Sequence, residues 1–211
     1  MRESTMEEHR NYTTDEFEAK LGRIERGWRL QEFNTHQPFQ IVEVAYPDPV
    51  ADRAFATLGL SNLRVCASNP NQMIGTELII GLSQKHAGSW VLQMLERLAK
   101  SVIGGEDPVG PGWGSNPVGP GWVSMIFDPL PTAPWFDRFY LSELKTISPS
   151  TGDEITRIND VSILSVVPIS ESEHEFIAQS GSIEFDRALA NLRAHPWDLD
   201  RARIQRDLSR P

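Results

Sequence analysis

The 211-residue sequence predicts an α+β layered fold with a mixed β-sheet flanked by helices. Three observations carry that expectation. Apolar residues recur at helical spacing in a few separate segments, and β-branched, alternating runs gather between those segments. The hydrophobic and charged contents, 39% and 23%, match globular usage, so a chain of this length buries a substantial core.

Residues 1–12 are polar and charged and read as a flexible leader. Residues 13–211 read as a single domain, because no linker separates two self-sufficient cores. Thr13 and Glu16 have capping-box spacing, and Phe17, Leu21, Ile24 and Trp28 follow at helical intervals, which predicts a helix over 14–28 weakened by Gly22. The alternation through 40–46 predicts a strand ended by Pro47-Asp48-Pro49. Two strands, 54–61 and 63–67, are expected around a turn at Ser61-Asn62, and Thr76–Leu82 is expected to be a buried strand.

Val91, Leu92, Leu95, Leu98, Ala99 and Val102 mark one side of a helix over 89–102. Residues 104–122 follow, in which 107–113 and 116–122 are near-identical heptapeptides nine residues apart. Two copies are too few for a repeat architecture, and the dense proline and glycine exclude a helix or an inner strand, so an irregular loop is expected. A strand is expected at 123–127. Pro129, Pro131 and Pro134 then punctuate a stretch that is neither helix nor inner strand. Further strands are expected at 139–146 and at 161–167, the second ended by Pro168, with a turn at 148–153 between them. Ser170 and Glu173 open a helix over 171–180. Gly181 stops it, and Ser182 is expected to cap a last helix reaching about 193.

The net charge is −9, and a field of that sign repels phosphate backbones. The one arginine-dense segment, 201–210, contains Asp207 and follows Asp200, so direct nucleic-acid binding is disfavoured and a basic partner is favoured. A single cysteine, Cys66, allows no intrachain disulfide and fits a reducing compartment. Without a signal-like apolar core near the start or a run long enough to cross a bilayer, the protein is expected to be cytoplasmic, with no membrane association.

Chemistry-bearing motifs are scarce. His9, His36, His86, His174 and His195 form no HExxH pair, and no Cys/His cluster has zinc spacing, so no metal is expected. His174 lies between Glu173 and Glu175 on a helix, where consecutive residues diverge, which reads as a solvated face. Cys66 lies between Val65 and Ala67 and reads as a buried structural thiol. The glycine-rich stretch lacks GxxxxGK[ST] and contains no lysine, which argues against a nucleotide. Its Trp113 and Trp122 are the partner-binding candidates, as large anchors of the kind found at hot spots; the alternative is that both pin the loop to the body.

Among the carboxylates Glu43, Glu77, Asp128, Asp137, Glu143, Asp153 and Glu154, most read as surface charge. Glu77 opens an apolar strand and is expected to need a buried partner, such as Arg201. No nucleophile motif occurs. Catalytic residues, cofactors and metals are therefore all expected to be absent.

The order of motifs resembles the suppressor of fused family. Thr57-Leu58-Gly59-Leu60-Ser61 and Glu77-Leu78-Ile79-Ile80 come first, then Trp90 through Leu98-Ala99. Ser124-Met125-Ile126-Phe127-Asp128-Pro129 follows the glycine-rich stretch, and Ile163 through Ser170 with Glu173 and Asp200-Arg201 completes the series, over roughly residues 36–201. The resemblance implies an α/β sandwich and a non-enzymatic protein-binding module. In animals the similar region is the amino-terminal part of the Hedgehog-pathway repressor, which binds Gli transcription factors. This chain ends soon after the shared region, so a two-domain clamp is not expected. Single-domain bacterial members resemble immunity proteins, which implies a cognate toxin as partner, basic if charge steers its capture. The alternative is a small-molecule-binding protein or an enzyme with a dispersed site.

Overall fold

The computed structural model describes residues 12–29, 39–46, 51–62, 75–104, 121, 123–125, 130–143, 146–147, 154–155, 157–158, 161–192 and 194–204. Helix α1, Thr14–Leu21, opens on the expected capping box: Thr13 Oγ1 accepts from Glu16 N at 3.2 Å, and Glu16 Oε2 accepts from Thr13 N at 2.7 Å. It ends seven residues short of the predicted 28. Gly22 takes φ +100°, and a Cβ there would lie 2.3 Å from the Ala45 carbonyl oxygen, so only glycine fits where the chain reverses. Ile24–Arg29 is instead strand β1, paired antiparallel with β2, Gln40–Val44. Ile24 and Trp28 are four apart, a spacing that puts them on one side of a helix and equally on one face of a strand.

The remaining strands are β3 (Arg53–Leu58), β4 (Thr76–Leu82), β5 (Val123–Met125), β6 (Arg138–Glu143), β7 (Thr146–Ile147), β8 (Glu154–Ile155), β9 (Arg157–Ile158) and β10 (Val161–Ile169). The main sheet runs β1-β2-β3-β4-β10-β6-β5, with β9 pairing β10 off this path; β7 and β8 pair separately. β4 and β10 are parallel and their other partners antiparallel, so the sheet is mixed. All seven residues of β4 are buried, which requires cover on both faces.

Helices cover both faces of the neighbouring strands β6 and β10. α2 (Trp90–Gly104) packs with Phe139, Leu141, Leu164 and Val166 in the larger core. Tyr140, Val167 and Ile169, the alternate residues, face the other way onto Ile177 of α3 (Glu171–Ser180) and Phe185 and Leu189 of α4 (Ser182–Asn191). The fold is thus a layered α/β sandwich.

Four further expectations change. Pro168 does not end β10, which continues to Ile169. The β4 pairing stops at Ser165, so Pro168 faces a ladder only on the β6 side, where it lies opposite Phe139. Ser182 does not cap α4: Gly181, φ +87°, is at once the last cap of α3 and the first of α4, with no side-chain bond. The predicted strand over 54–61 is β3 followed by a 3-10 turn, Leu60–Asn62, and the one over 139–146 ends at Glu143. The strand expected at 63–67 and the turn at 148–153 lie outside the described residues.

Candidate functional site

Two buried carboxylates organise the molecule. Glu77 is fully buried at the start of β4. It accepts from Tyr12 Oη and Thr57 Oγ1, each at 2.6 Å, and from the backbone N–H groups of Gly59 (3.0 Å), Leu60 (3.3 Å) and Ser61 (3.0 Å). Burial pushes its carboxyl up, and these donors pull it back. Tyr12, assigned by sequence to the leader, is buried, stacks on Phe17 and has its hydroxyl pushed up by burial and by the Glu77 charge. The expected partner, Arg201, is not there.

Arg201 belongs to the second node. Its Nη1 donates to Glu173 Oε1, and its Nη2 donates to Glu173 Oε2 (3.2 Å) and to the Pro168 carbonyl (2.8 Å). Glu173 also accepts from Ser170 N (2.9 Å), completing the predicted capping box, and from Ile204 N (3.1 Å). The guanidinium lies over the Phe136 ring, 4.9 Å from its centroid. Arg201 thereby covers the side of β10 that β4 no longer pairs.

The parallel strands β4 and β10 end at one edge of the sandwich, and the ladders bring four other segments to the same edge. These are the turn after Leu82, residues 130–138 entering β6, the start of α3, and residues 194–204. The last of these forms a strap. Its Trp197 lies against β4, filling the space where a Cβ on Gly81 would come within 2.1 Å of the ring. His86, buried in the turn, joins the strap to the 130–136 loop: Nε2 lies 3.4 Å from Asp200 Oδ2, and Nδ1 lies 2.9 Å from Thr132 Oγ1. A carboxylate only accepts, so in the neutral ring Nε2 carries the hydrogen and the Thr132 hydroxyl donates to Nδ1. Lys85 bonds the same carboxylate and holds Asp200 below the usual range.

The 130–136 loop is tightly folded. Leu130 N bonds the Phe136 carbonyl (3.2 Å), Ala133 N bonds Leu130 (3.1 Å), and Phe136 N bonds Ala133 (3.0 Å). Leu130, Ala133 and Phe136 are buried, whereas Trp135 is 43% exposed. Beside it, Arg138 is buried with Nη1 on Asp137 (2.7 Å) and Nη2 on Glu171 (3.4 Å). Burial, and then Arg138, push the half-buried His174 down.

Cys66, Trp113, Trp122, Asp128 and Asp153 lie outside the described residues, as does the Glu154 side chain. Gly121, within the glycine-rich stretch, donates to the Leu141 carbonyl at 2.8 Å and lies against Ser182, so this end of the stretch adjoins the start of α4. Glu43, read as surface charge, is buried under a two-point bond to Arg53 (2.5 and 2.8 Å) that lowers its pKa. Glu143 is exposed. Among the described residues, no group of three His, Cys, Asp or Glu is placed to hold a metal, and no helix is long and apolar enough to cross a membrane. Sequence reasoning missed Trp135 and the His86–Asp200 contact. An aromatic pair behind Pro134 was the available signal for the first; the second joins residues 114 apart and left none.

A mixed sheet held between helices, with the Thr57–Ser61 loop, Glu77, Glu173 and Arg201 in its two buried nodes, defines an α/β-sandwich class. The chain belongs to the suppressor of fused family: residues 35–202 match the family described as suppressor of fused protein. Among solved structures it is similar to a protein described as a suppressor of fused homolog from Neisseria gonorrhoeae FA 1090, with a TM-score of 0.58 and 17% identity over 84% of this chain and 85% of that one. It is also similar to a chain of the Sufu–Fu complex, with a TM-score of 0.43 and 12% identity over 78% and 76%. Compared with curated proteins, the chain matches none.

Proposed function

We propose that this chain is a non-enzymatic protein-binding module of the suppressor of fused type, working in the cytoplasm as an immunity protein that neutralises a cognate toxin. Family membership over residues 35–202 is the observation that carries the binding reading. The net charge of −9 supports a basic toxin, because an acidic surface accelerates capture of a cation-rich partner. In this reading Trp113 and Trp122 contact the partner.

Affinity capture from the source lysate, followed by mass spectrometry, tests it. A stoichiometric protein partner whose production is toxic without this chain supports the immunity reading. Loss of that partner in the Trp113→Ala/Trp122→Ala variant supports the tryptophan assignment. With folded protein at low salt, capture of nothing counts against the binding reading.

One arrangement favours a second reading. Thr132, His86 and Asp200 have the donor order of a nucleophile relay. Against it, the Asp200 side chain is 49% exposed and shared with Lys85, which weakens its hold on the ring. Ester hydrolysis abolished by His86→Ala would revive that reading.

A further inference from the structure

We propose that the face where β4 and β10 end, centred on Trp135, receives an arginine or lysine side chain from a basic segment of the protein partner. This rests on the protein-binding reading above and adds the place and chemistry of contact. Trp135 is a large aromatic group left 43% exposed on a loop whose next residue, Phe136, is fully buried. The loop is already ordered. Pro131 and Pro134 fix its backbone, its internal hydrogen bonds close it, and Thr132 is tied to His86. An anchor held this way loses little conformational freedom on binding, which is what makes an exposed tryptophan an effective contact.

Charge selects the occupant. Asp137 follows Trp135 by two residues at the entry to β6, Arg138 joins it to Glu171 at the start of α3, and Asp198 and Asp200 lie on the strap that His86 joins to the same loop. Among the described residues three cations stand with these four carboxylates: Lys85, already on Asp200, Arg138, buried between Asp137 and Glu171, and the exposed Arg203 farther along the strap. The carboxylates exceed them by one. A guanidinium or ammonium can lie on the indole and pair with a neighbouring acid.

The test uses nona-arginine as probe, followed through the tryptophan indole N–H resonances of the full chain, with Trp135 assigned from the Trp135→Phe spectrum. The expected result is a shift of the Trp135 resonance on titration. Affinity should fall roughly 10-fold in Trp135→Ala and be largely retained in Trp135→Phe. Because Trp135 is exposed, both variants should melt near wild type, which separates lost contact from lost fold. Equal binding by Trp135→Ala, or shifts confined to resonances elsewhere, overturns the proposal. A protein partner held equally by wild type and Trp135→Ala overturns this surface and leaves the protein-binding reading standing; a chain that captures no protein overturns both.

Discussion

Arg201 and Glu173 form a two-point ion pair sealed inside the fold, with side-chain exposures of 1% and 0%. The pair joins the first turn of α3 to the carboxyl-terminal strap. Removing one partner leaves the other charge buried, so Arg201→Ala should destabilise the protein by about 3–5 kcal/mol in urea unfolding. Arg201→Met combined with Glu173→Leu should recover only part of this loss. Glu173 also accepts from Ser170 N and Ile204 N, and both would go unpaired. Full recovery would mean that those two bonds contribute little.

Tyr12→Phe removes one of five donors to the buried Glu77 carboxylate without changing the ring that stacks on Phe17. A bond to a charged group of this kind is worth about 1.5–3 kcal/mol, and the loss should appear in that range. Hydrogen exchange should rise first in α1, which the tyrosine ties to the sheet. A variant as stable as wild type would assign the Glu77 node to Thr57 and the 59–61 backbone.

Gly81→Ala places a methyl group against Trp197, and the contact cannot be relieved on its other side, where the Ala51 Cβ lies 2.7 Å from the same point. The expected cost is about 1–3 kcal/mol, from overpacking. Trp197→Ala should cost about 3–5 kcal/mol, through the cavity it leaves. Combining Gly81→Ala with Trp197→Leu should be less harmful than the two separate costs added, because the smaller side chain makes room.

Glu43 supplies the clearest pH dependence. Its bonds to Arg53 lower the carboxyl pKa in the folded state, so the unfolded chain binds the proton more readily. The stabilisation is therefore present above the unfolded value of about 4.3 and is lost as pH falls through the folded value. Melting temperatures of wild type and Glu43→Gln should differ at neutral pH and converge in acid. A gap that stays constant from neutral pH to about pH 3 would remove Glu43 as the titrating group.

Local signals in the sequence were read correctly where the deciding interaction is itself local. Both capping boxes, the boundaries of β4 and the span of α3 follow from residues within a few positions of one another. Misreadings arose where distant atoms decide. The Ala45 carbonyl, not helical propensity, ends α1 at Gly22, and the early stop of the β4 ladder lets Pro168 stay inside a strand. Among the buried charges the same divide holds. Glu173 was legible as a cap, but its pairing with Arg201 spans 28 residues, and Glu43 looked like surface charge because a five-residue strand covered on both faces leaves no polar side.

The parallel pairing of β4 with β10 also sets an order of events on the ribosome. β4 is complete at Leu82, but the strand that covers its free edge begins at Val161, so about 80 further residues must be made first. At roughly 5–20 residues per second, the edge of a strand that is fully buried in the finished fold waits for several seconds before its neighbour emerges. During that interval the nascent β1–β4 meander is open to strand pairing with other chains, a hazard that ends when β10 closes the edge.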